Sequence, residues 1–159
     1  MLPRHHLSVL TYQGSIEEKS GLAELCQEWT VQEFWPFEEF LLSLRIPGSF
    51  LQYQVNGKQW VSMALGRAGG DCVELYYIYV SIKARRQGLA TQILAEFCRT
   101  AKRDWVAERV SLEVRPSNIE AKNLYEQHGF YRLAVRKRYY QNGDDAWVYE
   151  KNLLAVEEI

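Results

Sequence analysis

The sequence predicts an α+β protein, a mixed sheet carrying helices on its faces, on three observations. Two alternating apolar runs flank Asn56-Gly57, the strongest short hairpin signal. Residues 73–80 are apolar or aromatic at nearly every position and lead through a basic, glycine-bearing loop into helical spacing. A further alternation at residues 110–114 leads into another helical stripe, so strands and helices are interleaved in the second half.

Taken in order, residues 7–12 alternate loosely and read as a first strand. Ser15-Ile16-Glu17-Glu18 has capping-box spacing, and Leu22, Leu25, Cys26 and Trp29 recur at helical intervals, so a helix follows. Pro36 opens a second, short helix with Phe37, Phe40, Leu41 and Leu44 on one stripe, closed by Pro47-Gly48. Residues 50–55 and 59–66 flank Asn56-Gly57 as a hairpin. Gly69-Gly70-Asp71 then turns the chain into residues 72–80, the third of three antiparallel strands. Because residues 73–80 are apolar on both faces, a central strand covered on two sides is expected. Leu89, Ile93, Leu94, Phe97, Ala101 and Trp105 space a third helix, and Val110, Leu112 and Val114 alternate as a strand ended by Pro116. Ser117-Asn118-Ile119-Glu120 reads as a second capping box, before a fourth helix with Ala121, Leu124, Tyr125 and His128 on its stripe and Gly129 at its end. Residues 130–140 and 146–152 flank Asn142-Gly143 as a closing hairpin, and the acidic residues 156–159 read as a frayed tail.

The 159 residues, 47% hydrophobic and 25% charged, suit a single domain over residues 1–159, with neither a repeat nor a low-complexity linker to divide it. With 19 Lys+Arg against 20 Asp+Glu there is no field to hold a polyanion, so no nucleic-acid partner is expected. Arg132, Arg136, Lys137 and Arg138 read as a solvated face. No apolar run approaches the ~18 residues of a membrane span, and the start at Met1 lacks the apolar core of a signal peptide, which points to the cytoplasm and away from membranes. Cys26, Cys72 and Cys98 are widely spaced and odd in number. His5 and His6 are neighbours and His128 stands alone, so no metal site and no disulfide framework are expected.

Arg85-Arg86-Gln87-Gly88-Leu89-Ala90 lies between the central strand and the third helix, where unpaired N–H groups and the positive end of the helix dipole attract anions. Gly88 and Ala90 let the backbone approach closely. The spacing fits neither the P-loop nor the dinucleotide glycine pattern, which leaves another phosphate ligand or, as the bland alternative, a solvated basic turn.

In that setting the loop resembles the acetyl-CoA loop of the GNAT superfamily of N-acetyltransferases. Ser111-Leu112-Glu113-Val114-Arg115-Pro116-Ser117-Asn118, with Ala121, Leu124-Tyr125-Glu126 and Gly129-Phe130, is similar to the signature of the RimI type, bacterial enzymes acetylating the N-terminal alanine of a small-subunit ribosomal protein. Tyr139-Tyr140 with Gly143-Asp144-Asp145-Ala146 is similar to an ending shared with archaeal and eukaryotic protein N-terminal acetyltransferases. Trp35-Pro36-Phe37 is loosely similar to the substrate-side helices of that family. The resemblance covers residues 75–153 and implies a GNAT-like, mostly antiparallel central sheet flanked by about four helices. It also implies acetyl-CoA as cosubstrate, and a protein or peptide N-terminus, a ribosomal protein among the candidates, as partner. Two departures stand out: residues 80–84 lack the Asp-Pro that often follows the central strand, and Tyr79 replaces a usual small residue near the thioester.

Acetyl transfer to an amine needs a neutral nucleophile, a polarised carbonyl and a proton for the leaving thiolate. Period-2 alternation sets Glu113 on the face opposite Val110, Leu112 and Val114, which makes it the candidate general base, directly or through water; the competing reading is an ion pair with a nearby Arg. Asn118 and Tyr125 lie about two helical turns apart on one face. The resemblance implies that Asn118 meets the pantetheine or phosphate arm and that Tyr125 is the general acid. The alternatives are a helix cap for Asn118 and a core aromatic for Tyr125. It further implies that Ile78, Tyr79 and Val80 meet the pantetheine and thioester, and that Arg85, Arg86, Gln87, Gly88, Leu89, Ala90 and Thr91 cradle the pyrophosphate; Lys122 reads equally as a helper there or as a solvated side chain. Tyr139, Tyr140 and Asp145 are candidate acceptor contacts, against packing within a Tyr-rich hairpin. A free α-amine titrates near 7.7–8.0 and lysine about 10.4, so neutralising lysine costs roughly 3.5 kcal/mol more at neutral pH, which favours an N-terminal acceptor. The alternatives are a small-amine or lysine acetyltransferase and a non-catalytic acetyl-CoA-binding module.

Overall fold

The computed structural model describes residues 6–30 and 37–154. Its elements run β1 (Val9–Thr11), α1 (Ile16–Thr30), α2 (Phe37–Ser43), β2 (Ser49–Asn56), β3 (Gln59–Gly69), β4 (Cys72–Val80), a 3₁₀ turn (Ile82–Ala84), α3 (Leu89–Asp104), β5 (Arg109–Val114), α4 (Ile119–Gln127), β6 (Tyr131–Arg136) and β7 (Ala146–Asn152). The strands bond in the order β1-β2-β3-β4-β5-β7-β6. The β4–β5 pair is parallel, whereas β1–β2, β2–β3, β5–β7 and β6–β7 are antiparallel. This is the mixed, mostly antiparallel sheet with four helices that the sequence predicts. The readings placed on His5, Trp35, Pro36 and residues 156–159 lie outside the described residues.

Two compact units divide the chain, one within Met1–Arg67 and Tyr77–Phe97, the other within Ala68–Tyr76 and Cys98–Ile159. In the first, the capping box at α1 is formed: Glu18 N donates to Ser15 Oγ (3.1 Å) and Ser15 N to Glu18 Oε2 (2.9 Å). Leu22, Leu25 and Cys26 of α1 and Phe40 of α2 then pack on Leu51, Tyr53, Trp60, Met63 and Tyr79. Gly21 is required where the Trp60 indole crosses α1, since a Cβ there would collide with the ring. Toward α3, Phe97 stacks on Phe50 with centroids 5.1 Å apart, over Gly66, whose missing Cβ makes room for the Phe97 ring. In the same unit Gln54 and Ser62, both fully buried, form a polar network. Ser62 Oγ donates to Gln54 Oε1 (2.7 Å), Gln54 Nε2 donates to Leu7 O (2.9 Å) and Gln92 Oε1 (3.0 Å), and Leu7 N donates to Gln92 Oε1 (3.2 Å).

In the second unit β5 alternates as expected, with Val110, Leu112 and Val114 buried and Ser111, Glu113 and Arg115 half-buried. Tyr149 of β7 is fully buried and donates to Glu126 Oε1 of α4 (2.8 Å). Cys26 and Cys98 are buried and Cys72 half-buried, all free thiols.

Three expectations need correction. Although β4 is the middle strand of seven, Glu74 and Tyr76 are exposed, so one of its faces is partly open; Glu74 keeps its charge hydrated there. The cap of α4 is Asn118 and not Ser117: Asn118 Oδ1 accepts from Ala121 N (3.1 Å). The closing hairpin has no tight turn at Asn142-Gly143, because β6 stops at Arg136 and β7 resumes at Ala146. Arg138 adopts a left-handed φ of 51° and donates its N–H to Asp145 Oδ1 (3.0 Å), while Asp144 N donates to Asn142 Oδ1 (3.1 Å). These local side-chain bonds replace the ladder.

Candidate active site

In the first unit the basic loop is pinned at both ends. Ala84 and Leu89 are buried with Val61, and the half-buried Leu7 and Val80 pack against them, while Arg85, Arg86 and Gln87 between them stay exposed. Two left-handed residues, Arg86 (φ 63°) and Gly88 (φ 80°), turn the chain into α3, whose first hydrogen bond runs from Gln92 N to Gly88 O (3.1 Å). The N–H groups of a helix's first turn have no acceptor within the helix, so the amides around Leu89, Ala90 and Thr91 lie at an anion-attracting terminus. Arg85 turns inward to the strand end, its Nε donating to Val80 O (3.1 Å) and its guanidinium lying 5.7 Å from the Tyr79 ring centroid. A cavity of about 110 Å³ beside the loop is lined by Ser81, Lys83, Gln87, Asn56 and Gln59 among others. Ile78 and Val80 are half-buried at the end of β4, and Tyr79 is buried, its phenol raised above its ordinary value by burial and by its hydrogen bond to Glu28.

In the second unit the structure gathers the carboxylate and the phenols. Arg136 Nε lies 3.2 Å from Glu113 Oε1, which realises the ion pair named as the competing reading without removing Glu113 from solvent. Glu113 also acts on Tyr139: the Glu113 carboxylate as hydrogen-bond acceptor, and then burial, push this phenol up to about 12. Tyr139 and Tyr140 meet edge to face at 5.1 Å, and Arg115 lies 3.8 Å over the Tyr140 ring while bonding Asp144 Oδ2 (2.7 Å). Tyr140's phenol is itself raised, chiefly by burial. Tyr125 is buried, packed on Phe130 (5.7 Å) and Tyr149 (6.4 Å), and burial raises its phenol well above the ordinary value, so it holds its proton at neutral pH. The core-aromatic reading of Tyr125 is therefore met, and a protonated phenol is what a general acid requires.

The remaining candidates have partners of their own. Asp145 is engaged by Arg138 N (3.0 Å) and then by Lys137 Nζ (3.1 Å), which lowers its carboxyl below the usual range and makes it an anchor of the connection between β6 and β7. Lys122 lies 4.5 Å from the Trp147 ring, with Arg132 at 4.6 Å from the same centroid. Asn118 caps α4, so Asn118→Ala is expected to cost about 1 kcal/mol, a fall in Tm of about 2–4 °C in thermal denaturation. Two residues escaped the sequence reading, Arg136 as the partner of Glu113 and Glu28 as an acceptor for the end of β4. Only the long-range pairing reveals them. Among the described residues, no group of three His, Cys, Asp or Glu side chains is placed to hold a metal, and no helix is long and apolar enough to cross a membrane.

The basic glycine loop entering α3 thus belongs to the first unit and the Glu113 carboxylate on β5 to the second. The crystal structure of the ribosomal-protein-S18-alanine N-acetyltransferase from Escherichia coli superposes with a TM-score of 0.78, at 22% identity, covering 95% of this chain and 97% of that one. The acetyltransferase (GNAT) family model matches residues 15–130, and the chain belongs to this family. It is 31% identical over 112 residues, 69% of this chain and 74% of the relative, to the [ribosomal protein bS18]-alanine N-acetyltransferase of Escherichia coli K12. It is also 42% identical over 69 residues, 43% of this chain, to an N-alpha-acetyltransferase of Saccharolobus solfataricus, of whose length the matched part is 41%.

Proposed function

We propose that this protein transfers the acetyl group of acetyl-CoA to the N-terminal α-amine of a protein, with an N-terminus of the ribosomal bS18 kind as the leading acceptor. The observation that carries the reading is the Glu113 cluster, a half-buried carboxylate on β5 that meets the Arg136 guanidinium and the Tyr139 phenol. Similarity to the bS18-alanine enzyme and to an archaeal N-alpha-acetyltransferase supports the choice of acceptor. The match of one family model to residues 15–130 supports reading the chain as one acetyltransferase domain.

The loop fits the cosubstrate. Exposed guanidinia and helix-terminal amides, on a segment anchored by Ala84 and Leu89, suit a diphosphate, with Arg85, Arg86, Gln87, Gly88, Leu89, Ala90 and Thr91 as its holders. Ile78, Tyr79 and Val80 would meet the pantetheine, and Asn118 would add a side-chain contact to its cap. Bound acetyl-CoA supplies an acetyl group activated as a thioester. Glu113 takes the proton of the incoming amine, directly or through water, and Tyr125 donates its phenolic proton toward the leaving sulfur. Tyr139 and Tyr140 orient the acceptor, and Asp145 holds the connection that carries them.

A thiol titrates near 8.5, so its thiolate leaves with little help at neutral pH. Tyr125→Phe is therefore expected to lower kcat only about tenfold, below the usual range for acid–base groups, with the fold unchanged. Acetylation of peptides beginning with Ala, Ser or Met, of a peptide with only a lysine amine, and of free polyamines tests the function. Turnover confined to α-amines supports the proposal. Turnover confined to lysine or polyamines overturns the acceptor, and CoA binding without any turnover leaves a binding module.

A further inference from the structure

The end of β4 is gathered by one carboxylate from another element. Glu28, in the last turns of α1 and half-buried, accepts from Ser81 Oγ at Oε1 (2.7 Å), and from Tyr79 Oη (3.0 Å) and Ile82 N (3.3 Å) at Oε2. Three donors within four consecutive residues converge on it. The neighbouring backbone is equally engaged, with Ser81 N donating to Val61 O (2.8 Å) and Val80 O accepting from Arg85 Nε (3.1 Å). From Tyr79 to Ile82 the strand end is thus set by the Glu28 and Val61 bonds from distant parts of the chain together with the local Arg85 bond.

The two sequence departures noted at this place meet in the same carboxylate. Without Asp-Pro the segment carries an N–H at Ile82 and no acid of its own, and with Tyr79 it carries a large side chain with a hydroxyl to satisfy. Glu28 answers each of these needs at once. A buried hydroxyl that loses its acceptor is costly, so removing Glu28 takes away at once the acceptor that the buried Tyr79 and Ser81 hydroxyls share.

We propose that Glu28 is a positioning residue for acetyl-CoA: its carboxylate clasps Tyr79, Ser81 and Ile82 and so holds the end of β4 in the shape that receives the acyl-pantetheine arm. The inference rests on the acetyl-CoA reading above. Glu28 does not touch the reacting atoms; it acts through the backbone of residues 79–82.

Calorimetric titration with CoA of the wild type, Glu28→Gln and Tyr79→Phe/Ser81→Ala tests it, with thermal denaturation and separate KM values for acetyl-CoA and peptide. Losing charge-assisted bonds worth about one decade, Glu28→Gln is expected to weaken CoA roughly tenfold and to raise the acetyl-CoA KM alike, with the peptide KM within about twofold. The Tyr79→Phe/Ser81→Ala variant, which keeps Glu28, is expected to reproduce most of that loss, and adding Glu28→Gln to it to have less than about a twofold further effect. A wild type that binds CoA beside variants that bind it equally well overturns the inference, whatever their Tm; so does a variant in which both KM values rise together. A wild type that does not bind CoA overturns the acetyl-CoA reading, and the inference with it. Should Glu28→Gln fail to fold, the Tyr79→Phe/Ser81→Ala variant decides by the same titration.

Discussion

Glu113→Gln is expected to lower kcat/KM for an α-amine peptide about a hundredfold at neutral pH, toward the lower end of the usual range for a general base. The reason for the lower end is the acceptor. An α-amine titrates near 7.7–8.0, so an appreciable fraction is already neutral without help, and raising the pH through about 8 supplies more of it. The deficit of Glu113→Gln should therefore shrink as pH rises toward 9. With a lysine acceptor, which titrates about 10.4, it would persist across the same range. CoA affinity should stay within about twofold, and Tm should barely move, because a pair as exposed as Arg136 with Glu113 contributes about 0–1 kcal/mol. A rate profile equal to the wild type's removes Glu113 from the chemistry.

The largest effect on stability is expected at Phe97. Its side chain is fully buried and stacks on Phe50 above Gly66, so Phe97→Ala should cost about 3–5 kcal/mol. That is a large share of the ~5–15 kcal/mol that holds a domain folded. Urea unfolding measures it as a lower midpoint at similar slope. The geometry adds a sign that simple loss of apolar area does not give. A Cβ at Gly66 collides with Phe97 in the wild type, so Gly66→Ala alone should be destabilising, by about 1–3 kcal/mol. In the Phe97→Ala background the two tightest of those contacts are gone and only the Phe50 ring stays close to the methyl, so the double variant should be more stable than the sum of the two costs. Strict additivity would mean that the ring does not occupy the space above Gly66.

What the sequence reveals here is local and periodic. Ser15 with Glu18, the Asn56-Gly57 hairpin, the glycine loop entering α3 and the alternation that turns Glu113 away from Val110, Leu112 and Val114 are each decided within a few residues. All four appear as read. The misreadings arise where polar side chains compete with the backbone. Asn118 and Ser117 are both good caps, and nothing in their order says which will accept from Ala121. Residues 137–145 resemble a strand running to an Asn-Gly turn, but Asp145, Asn142 and Arg115 draw them into bonds of their own. Glu28 and Arg136 are invisible for a plainer reason. Glu28 lies more than fifty positions from its partners and Arg136 more than twenty from Glu113, so no spacing rule links them.

One consequence of the Gln54–Gln92 network concerns the rim of the sheet. Leu7 gives its N–H to Gln92 and its carbonyl to Gln54, so both of its main-chain groups are taken by amide side chains just before β1 begins. The edge strand β1 spans three residues, Val9–Thr11, and Leu7, two residues ahead of it, already has its N–H and carbonyl engaged. Along this edge of the sheet, a border so short offers little for another molecule to dock against lengthwise.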